Sequence, residues 1–245
     1  MKISVITISF NAENTIENTL KSVALQTYDN IEHIIVDGWS NDGTLEICNS
    51  FPHVSKIISE PDRGVYDAFN KGLKLATGDV VGFLNADDVF FDKNSISEIA
   101  KAFSENNTDI VYGNLDYINE DRKVIRNWTS RPYENGLVKK AWMPAHPTFY
   151  CKKEVYDRLG GYNDSFKIAG DFELCLRFLE LNQVPSFYFN KKLVKMLIGG
   201  ISNSGLKSKW IIYNEELRAF KINGIKLNSF LFLLYKIKKV RQYFN

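Results

Sequence analysis

Short polar side chains gather at four points of this 245-residue chain, each directly after a run rich in β-branched and aromatic residues. Asn11 follows residues 3–10, Asp37 follows 34–36, Glu60-Pro61-Asp62-Arg63 follows 56–59, and Asn85-Ala86-Asp87-Asp88 follows 79–84. Any one of them reads as a turn, and Asp42, two residues before Thr44, reads best as a helix cap. Together they put polar groups at the ends of successive strands, where one crevice can collect them. Asn85-x-Asp87-Asp88 offers hard oxygen ligands on one backbone turn, the chemistry that Mg2+ or Mn2+ prefers. Between Leu84 and Val89 these carboxylates are costly to desolvate unless something cationic, such as a metal carrying a diphosphate, balances them. No Gly-x-Gly-x-x-Gly follows the first strand and no Gly-x-x-x-x-Gly-Lys-Ser/Thr occurs, which argues against dinucleotide oxidoreductases and P-loop phosphotransferases.

The elements that must position these groups follow from hydrophobic periodicity. A strand over 3–10 leads into a helix with Ile16, Leu20 and Val23 at spacings of four and three. A strand over 34–37 precedes a short helix from Thr44, a strand over 56–59 precedes a helix over 65–76, and a strand over 79–84 comes next. This alternation predicts an α/β fold: a mostly parallel, Rossmann-like sheet flanked by helices, with a ligand crevice at the carboxyl ends of the strands. After a helix over 95–103 the pattern turns mixed. It predicts short strands over 109–113 and 123–126, a helix over 171–181, a strand over 185–189, and C-terminal helices over 208–221 and 229–243.

Composition fits an ordinary globular chain, with 44% hydrophobic and 24% charged residues, enough to bury a core without help from disulfides or metals. Cys48, Cys151 and Cys175 lie far apart and are expected as reduced core residues in a cytoplasmic protein. No secretory signal is expected, and no run approaches the roughly 20 apolar residues of a spanning helix. The net charge of +2 hides an asymmetry: 19 basic and 27 acidic residues through Pro185, but 12 and 2 beyond it. Residues 226–241 mix bulky apolar side chains with five cations and no acid, which suits either the interface of an anionic membrane or packing on the body with solvated lysines. Nucleic acid is not an expected partner, because the aromatic residues form no separate stacking platform.

Four blocks in order, residues 4–11, 36–44, 60–72 and 84–88, resemble the family 2 glycosyltransferases, nucleotide-sugar-dependent enzymes of the GT-A fold; the likeness extends over about residues 2–200. The resemblance implies a single GT-A domain over 1–205, with a nucleotide-sugar-binding half over 1–113 and a mixed acceptor half over 114–205, followed by a basic, apolar helical extension over 206–245. It places Thr7, Ser9, Asn11 and Asp37 with the nucleotide, Arg63, Asp67, Asn70 and Lys71 on the diphosphate side, and Asn85 and Ala86 beside them. The family's usual Asp-x-Asp carries Asn85 at its first position here, so a divalent metal (Mn2+ or Mg2+) would rest on Asp87 with Asp88 in support.

In the second half, Gly170 replaces the first of two acids usual in the family, leaving Asp171 as the expected catalytic base, with a helix-capping role as its alternative. Glu173 lies further into that helix and is expected to face solvent, while Arg177 is expected to anchor the helix by ion pairing. His146 is a candidate for the acceptor pocket or the leaving diphosphate, and Gly199-Gly200 with Ser202 suits a loop closing over the donor. The processive block Gln-x-x-Arg-Trp is absent, which fits single addition. The expected activity is inverting, metal-assisted transfer from a nucleotide sugar, with a UDP-sugar as first choice, to a saccharide or lipid-linked acceptor. Bacterial cell-surface polysaccharide synthesis, cytoplasmic or peripheral at the inner membrane face, is the expected setting. A nucleotidyltransferase is disfavoured because its glycine-rich, lysine-bearing loop is missing, and a non-catalytic sugar-binding module of the same fold is the alternative.

Overall fold

The computed structural model describes residues 1–199 and 205–241. Strands β1 (Ile3–Ser9), β2 (Ile31–Asp37), β3 (Val54–Ser59) and β4 (Val80–Phe83) run parallel in the order β3-β2-β1-β4. Helices α1 (Ile16–Ala24), α2 (Thr44–Asn49) and α3 (Val65–Leu75) make the crossings between them. β1 and β2 are apolar on both faces because helices cover both; Ile3, Val5, Ile6, Ile34, Ile35 and Val36 are fully buried. Register aligns the strand ends: Ser9 stands opposite Asp37, and the Leu84 N–H donates to the Ile6 carbonyl. The loops after β1, β2 and β4 therefore open on one edge of the sheet.

Beyond β4 the sheet becomes mixed, as the pattern predicts. β8 (Tyr150–Lys152) lies antiparallel between β4 and β6 (Ile110–Ile118), β9 (Ser186–Leu197) runs parallel to β6, β5 (Val89–Phe90) closes antiparallel on β9, and β7 (Val124–Trp128) forms a hairpin with β6. Among the described residues nine strands result, in the order β3-β2-β1-β4-β8-β6-β9-β5 with β7 beside β6. At the β4–β8 seam the Tyr150 ring occupies the space of a side chain on Gly82, where a Cβ would stand 2.1 Å from Cε1. β5, β8 and α5 (Lys153–Leu159) are too short to impose a period, and the sequence reading passed over them. β9 runs eight residues past its expected end at 189, because pairing with β6 carries it through the polar stretch Asn190-Lys191-Lys192.

Helix α4 (Ser95–Glu105) covers one face, and α6 (Gly170–Cys175) widens into π-helical turns over Leu176–Leu181. Helices α7 (Leu206–Ile222) and α8 (Ser229–Arg241) lie on the body: Ala219, Phe220 and Phe232 are buried in the same core as Phe172 of α6. All three cysteines are buried and free, and burial pushes the Cys48 thiol up to about 12. At the end of the sheet opposite the crevice, the buried Glu32 accepts from the Ser4 hydroxyl, the Thr77 N–H and hydroxyl, and the Lys2 ammonium. Among the described residues no helix is long and apolar enough to cross a membrane.

Candidate active site

Asp37, at the end of β2, is fully buried yet meets four donors. Its Oδ1 accepts from the Ser9 and Ser40 hydroxyls, and its Oδ2 from the Ser40 N–H at 2.9 Å and the Ser59 hydroxyl at 2.7 Å. One carboxylate thus ties the ends of β1, β2 and β3, the arrangement that makes a buried charge tolerable. Asn11 adopts a left-handed conformation (φ 48°), accepts from the Asn41 N–H and donates its own N–H to Ser40 Oγ, joining the two loops. Asp42 caps α2 as expected, accepting from Thr44 and from the Glu13 N–H. Phe10 and Trp39 flank this mouth, 66% and 63% exposed, and the bulky Trp39 is held at φ 69°. Neither was singled out from the sequence, although each is an aromatic residue at a strand end beside a turn.

Thr7 does not reach the mouth. Its side chain is fully buried inside the sheet and its hydroxyl meets His33 Nε2 at 3.0 Å, because Thr7 shares the strand face of Ser9 but lies two residues further from the end of β1. His33 in turn contacts His53, and burial holds the His33 imidazole down to about 3.

The turn after β4 holds two buried oxygens with no partner among the described residues, Asn85 Oδ1 and Asp88 Oδ2. Asp88 Oδ1 accepts the Leu197 N–H at 3.2 Å, and the Thr19 hydroxyl grips the Asp88 carbonyl. Burial raises the pKa of both Asp87 and Asp88, and for Asp88 the neighbouring Asp87 charge adds to it. Orphaned oxygens and two disfavoured charges fit a cation docked at this turn. Among the described residues no three His, Cys, Asp or Glu side chains cluster to hold a metal by themselves, and an ion here would take further oxygens from substrate or water. Ala86 is buried under the turn.

The block after β3 is an ion-pair lattice. Arg63, on the surface, bonds Asp67 at 2.9 Å and Asp164 at 2.8 Å, while Lys71 meets Asp62, Glu60 and Asp67. Asn70, expected at the diphosphate, is engaged elsewhere: its amide donates to the Tyr162 carbonyl at 2.7 Å and its oxygen accepts the Tyr162 N–H at 2.9 Å. It is a strap holding the loop before α6, since both ends of the carboxamide match that backbone.

Asp171 and His146, 25 residues apart in sequence, meet in space: His146 Nδ1 lies 3.2 Å from Asp171 Oδ2, off the line of a hydrogen bond. Asp171 Oδ1 is engaged by the Phe172 N–H at 2.8 Å and approached by the Tyr66 hydroxyl at 3.4 Å, which leaves Oδ2 turned to the histidine. Tyr66 is the residue the sequence reading missed here. Its hydroxyl donates to the Ile168 carbonyl and accepts the Asp171 N–H, and burial, then the Asp171 charge, keeps the phenol protonated. A Cβ on Gly170 would stand 2.7 Å from two atoms of the Tyr66 ring, so the position usually acidic in the family is filled by this ring. Glu173 does not face solvent, contrary to expectation. It is buried, and both its oxygens pair with Arg177, which also donates to the carbonyls of Leu159, Gly160 and Gly161; Arg177 anchors the helix as expected. Gly200 and Ser202 of the expected closing loop lie outside the described residues.

The parallel sheet thus has a polar crevice at its strand ends, and the mixed half that continues it carries Asp171 at a helix start. Residues 4–168 match the model of Glycosyl transferase family 2, and the chain belongs to that family. Among its relatives, a PGL/p-HBAD biosynthesis glycosyltransferase of Mycobacterium bovis (strain BCG / Pasteur 1173P2) is 28% identical over 207 residues, 82% of this chain and 79% of the relative. An uncharacterized glycosyltransferase of Mycobacterium tuberculosis (strain ATCC 25618 / H37Rv) is 35% identical over 181 residues, 71% of this chain and 68% of the relative. The fold is that of S. aureus TarS 1–349 in complex with UDP-GlcNAc (TM-score 0.75, 22% identity, 94% of this chain and 68% of that one). It is also that of the mannosyltransferase PcManGT from Pyrobaculum calidifontis in complex with GDP-Man and Mn2+ (TM-score 0.64, 18% identity, 91% and 67%).

Proposed function

We propose that this glycosyltransferase moves one sugar from a nucleotide-sugar donor, a UDP-sugar by our reading, to a hydroxyl of a saccharide or lipid-linked acceptor with inversion at the anomeric carbon. The observation that carries it is Asp171, whose Oδ1 is pinned while Oδ2 stays available beside His146. The acceptor oxygen attacks the anomeric carbon as its proton passes to Asp171 Oδ2, and the bond from that carbon to the diphosphate oxygen breaks with its electron pair leaving on the nucleotide. His146 stands where it can orient the acceptor or meet the departing charge. The nucleotide lies on the ends of β1 and β2, with Ser9, Asn11 and Asp37 below it and Phe10 and Trp39 at the mouth. Arg63, Asp67 and Lys71 shape the diphosphate side. A divalent ion held by Asp87, with Asn85 and Asp88 supporting, would supply positive charge to the leaving diphosphate. We read residues 1–113 as the donor half and 114–205 as the acceptor half, and a bacterial surface glycan or glycolipid as the product. The donors bound by TarS and PcManGT and the glycosyltransferase named for PGL/p-HBAD biosynthesis support this reading.

The test pairs binding with turnover. Melting shifts are read against nucleoside diphosphates and nucleotide sugars, with Mn2+ or Mg2+ and then with chelator; at 100 times the dissociation constant a ligand stabilises by about 2.7 kcal/mol. Asp171→Asn keeps the shift and loses transfer by about 10²-fold or more. Retained turnover in this variant removes Asp171 as the base, and absence of any nucleotide shift in the parent chain removes the donor site.

A further inference from the structure

Helix α8 is apolar on the side that faces away from the protein. Phe232 is fully buried against Phe172 and Phe220, Tyr213 stacks on it, and Lys236 pairs with the buried Glu216; these contacts fix the inner face. Phe230, Leu234 and Ile237, at spacings of four and three, then fall on the opposite side, 71%, 39% and 48% exposed, with Leu231 and Leu233 at 45% and 38% flanking them. A surface helix normally turns charge outward, and one that is apolar all round is covered by something. Trp210 of α7, 66% exposed, extends the patch: it lies one turn before Tyr213, whose hydroxyl reaches the Ser229 carbonyl at the start of α8.

Charge identifies the cover. Lys207, Lys209, Lys221, Lys226 and Lys238 are exposed on these two helices and their connection. The only acids between residues 205 and 241 are Glu215 and Glu216, and both are buried. Glu215 accepts the N–H groups of Lys167, Ile168 and Ala169, and Glu216 holds Lys236. The outer surface therefore presents apolar side chains and cations with no carboxylate between them, complementary to a layer of anionic headgroups over acyl chains and not to a second copy of the same cationic face. We infer that α8 and the start of α7 form a monotopic docking surface for an anionic lipid bilayer, with Phe230, Leu234, Ile237 and Trp210 entering the interface and the lysines meeting headgroups. The inference stands apart from the identity of donor and acceptor. Because Glu215 also caps the loop that leads into Asp171, docking would fix the site's distance from the lipid surface.

Vesicle co-sedimentation of the full chain tests it, using phosphatidylcholine alone and phosphatidylcholine with about one-third phosphatidylglycerol, at low and high salt. The expected result is binding to the anionic vesicles only, weakened by salt. Phe230→Glu/Leu234→Glu should abolish binding while the melting temperature stays within about 2 °C, since both side chains are exposed. Lys226→Gln/Lys238→Gln should weaken it about fivefold or more. Equal binding to both vesicle types, or none to either, overturns the inference. So does a dimer of the parent chain in sedimentation velocity without lipid that Phe230→Glu/Leu234→Glu converts to monomer, because a second copy then covers the patch.

Discussion

Replacing Gly170 by alanine sets two effects of opposite sign against each other. Gly170 opens α6, and in a helix alanine is favoured over glycine by at most about 1 kcal/mol, less at a first position. Against that, the new methyl carbon would stand 2.7 Å from Cε2 and Cζ of Tyr66 and 2.9 Å from Cδ2, distances at which one group must move. Tyr66 cannot yield cheaply: its ring stacks on Tyr162 with centroids 5.6 Å apart, Phe69 packs against its edge, and its hydroxyl is fixed to the Ile168 carbonyl. Overpacking of this kind costs about 1–3 kcal/mol, so the clash wins and the melting temperature should fall by about 2–10 °C. Because Asp171 is the next residue, its carboxylate shifts relative to His146, and kcat should fall more than the donor KM changes. Thermal melts and steady-state kinetics of Gly170→Ala read both effects. An unchanged melting temperature with unchanged kcat would refute the claim that the Tyr66 ring excludes a side chain here. Gly170→Glu should behave no better, although it restores the acid usual in the family.

Stability should fall in acid through Glu32. Burial alone would raise its pKa, but hydrogen bonds from Ser4, Thr77 and Lys2 hold it down to about 2 against an ordinary 4.5. The carboxylate therefore contributes about 3 kcal/mol, fully present above pH 4.5 and lost as pH falls from there toward 2; urea melts of Glu32→Gln should lack this part of the pH dependence. Arg177→Ala leaves Glu173 buried without its cation and three carbonyls without a donor, and should cost about 3–5 kcal/mol in urea denaturation; a loss under 1 kcal/mol would show the pair to be dispensable.

How much of the site was legible in the sequence differs residue by residue. Asn11, Asp37 and Asp87 could be placed at strand ends because apolar runs stop at or shortly before them, and a run's end is a local property, whereas Ser9, inside the run over 3–10, was placed only by the family resemblance. Thr7 sits in the same block and on the same strand face as Ser9, yet its side chain lies inside the sheet with His33, two residues short of the strand end, a depth that only the packed sheet reveals. Asn70 occupies the right helix but meets Tyr162, a partner 92 residues away that no spacing within the block reveals. Glu173 was expected to face solvent because it lies further into the helix, and a tertiary arrangement that pairs it with Arg177 brought it inside.

The sequence by itself determined the alternating strands and helices of the first half, the crevice where they end, the reduced cysteines and the charge split toward the C-terminus. Each depends on neighbours within a few residues or on composition. Tertiary structure alone decided which polar groups are engaged and which remain available: Tyr66 against Gly170, His146 beside Asp171, and the oxygens of Asn85 and Asp88 that have no partner among the described residues. It also decided that Phe232 points inward, which leaves Phe230, Leu234 and Ile237 outside. Secondary structure is set by local periodicity and steric preference, whereas the partner of a side chain depends on which distant segments the packed sheet brings within a few ångströms.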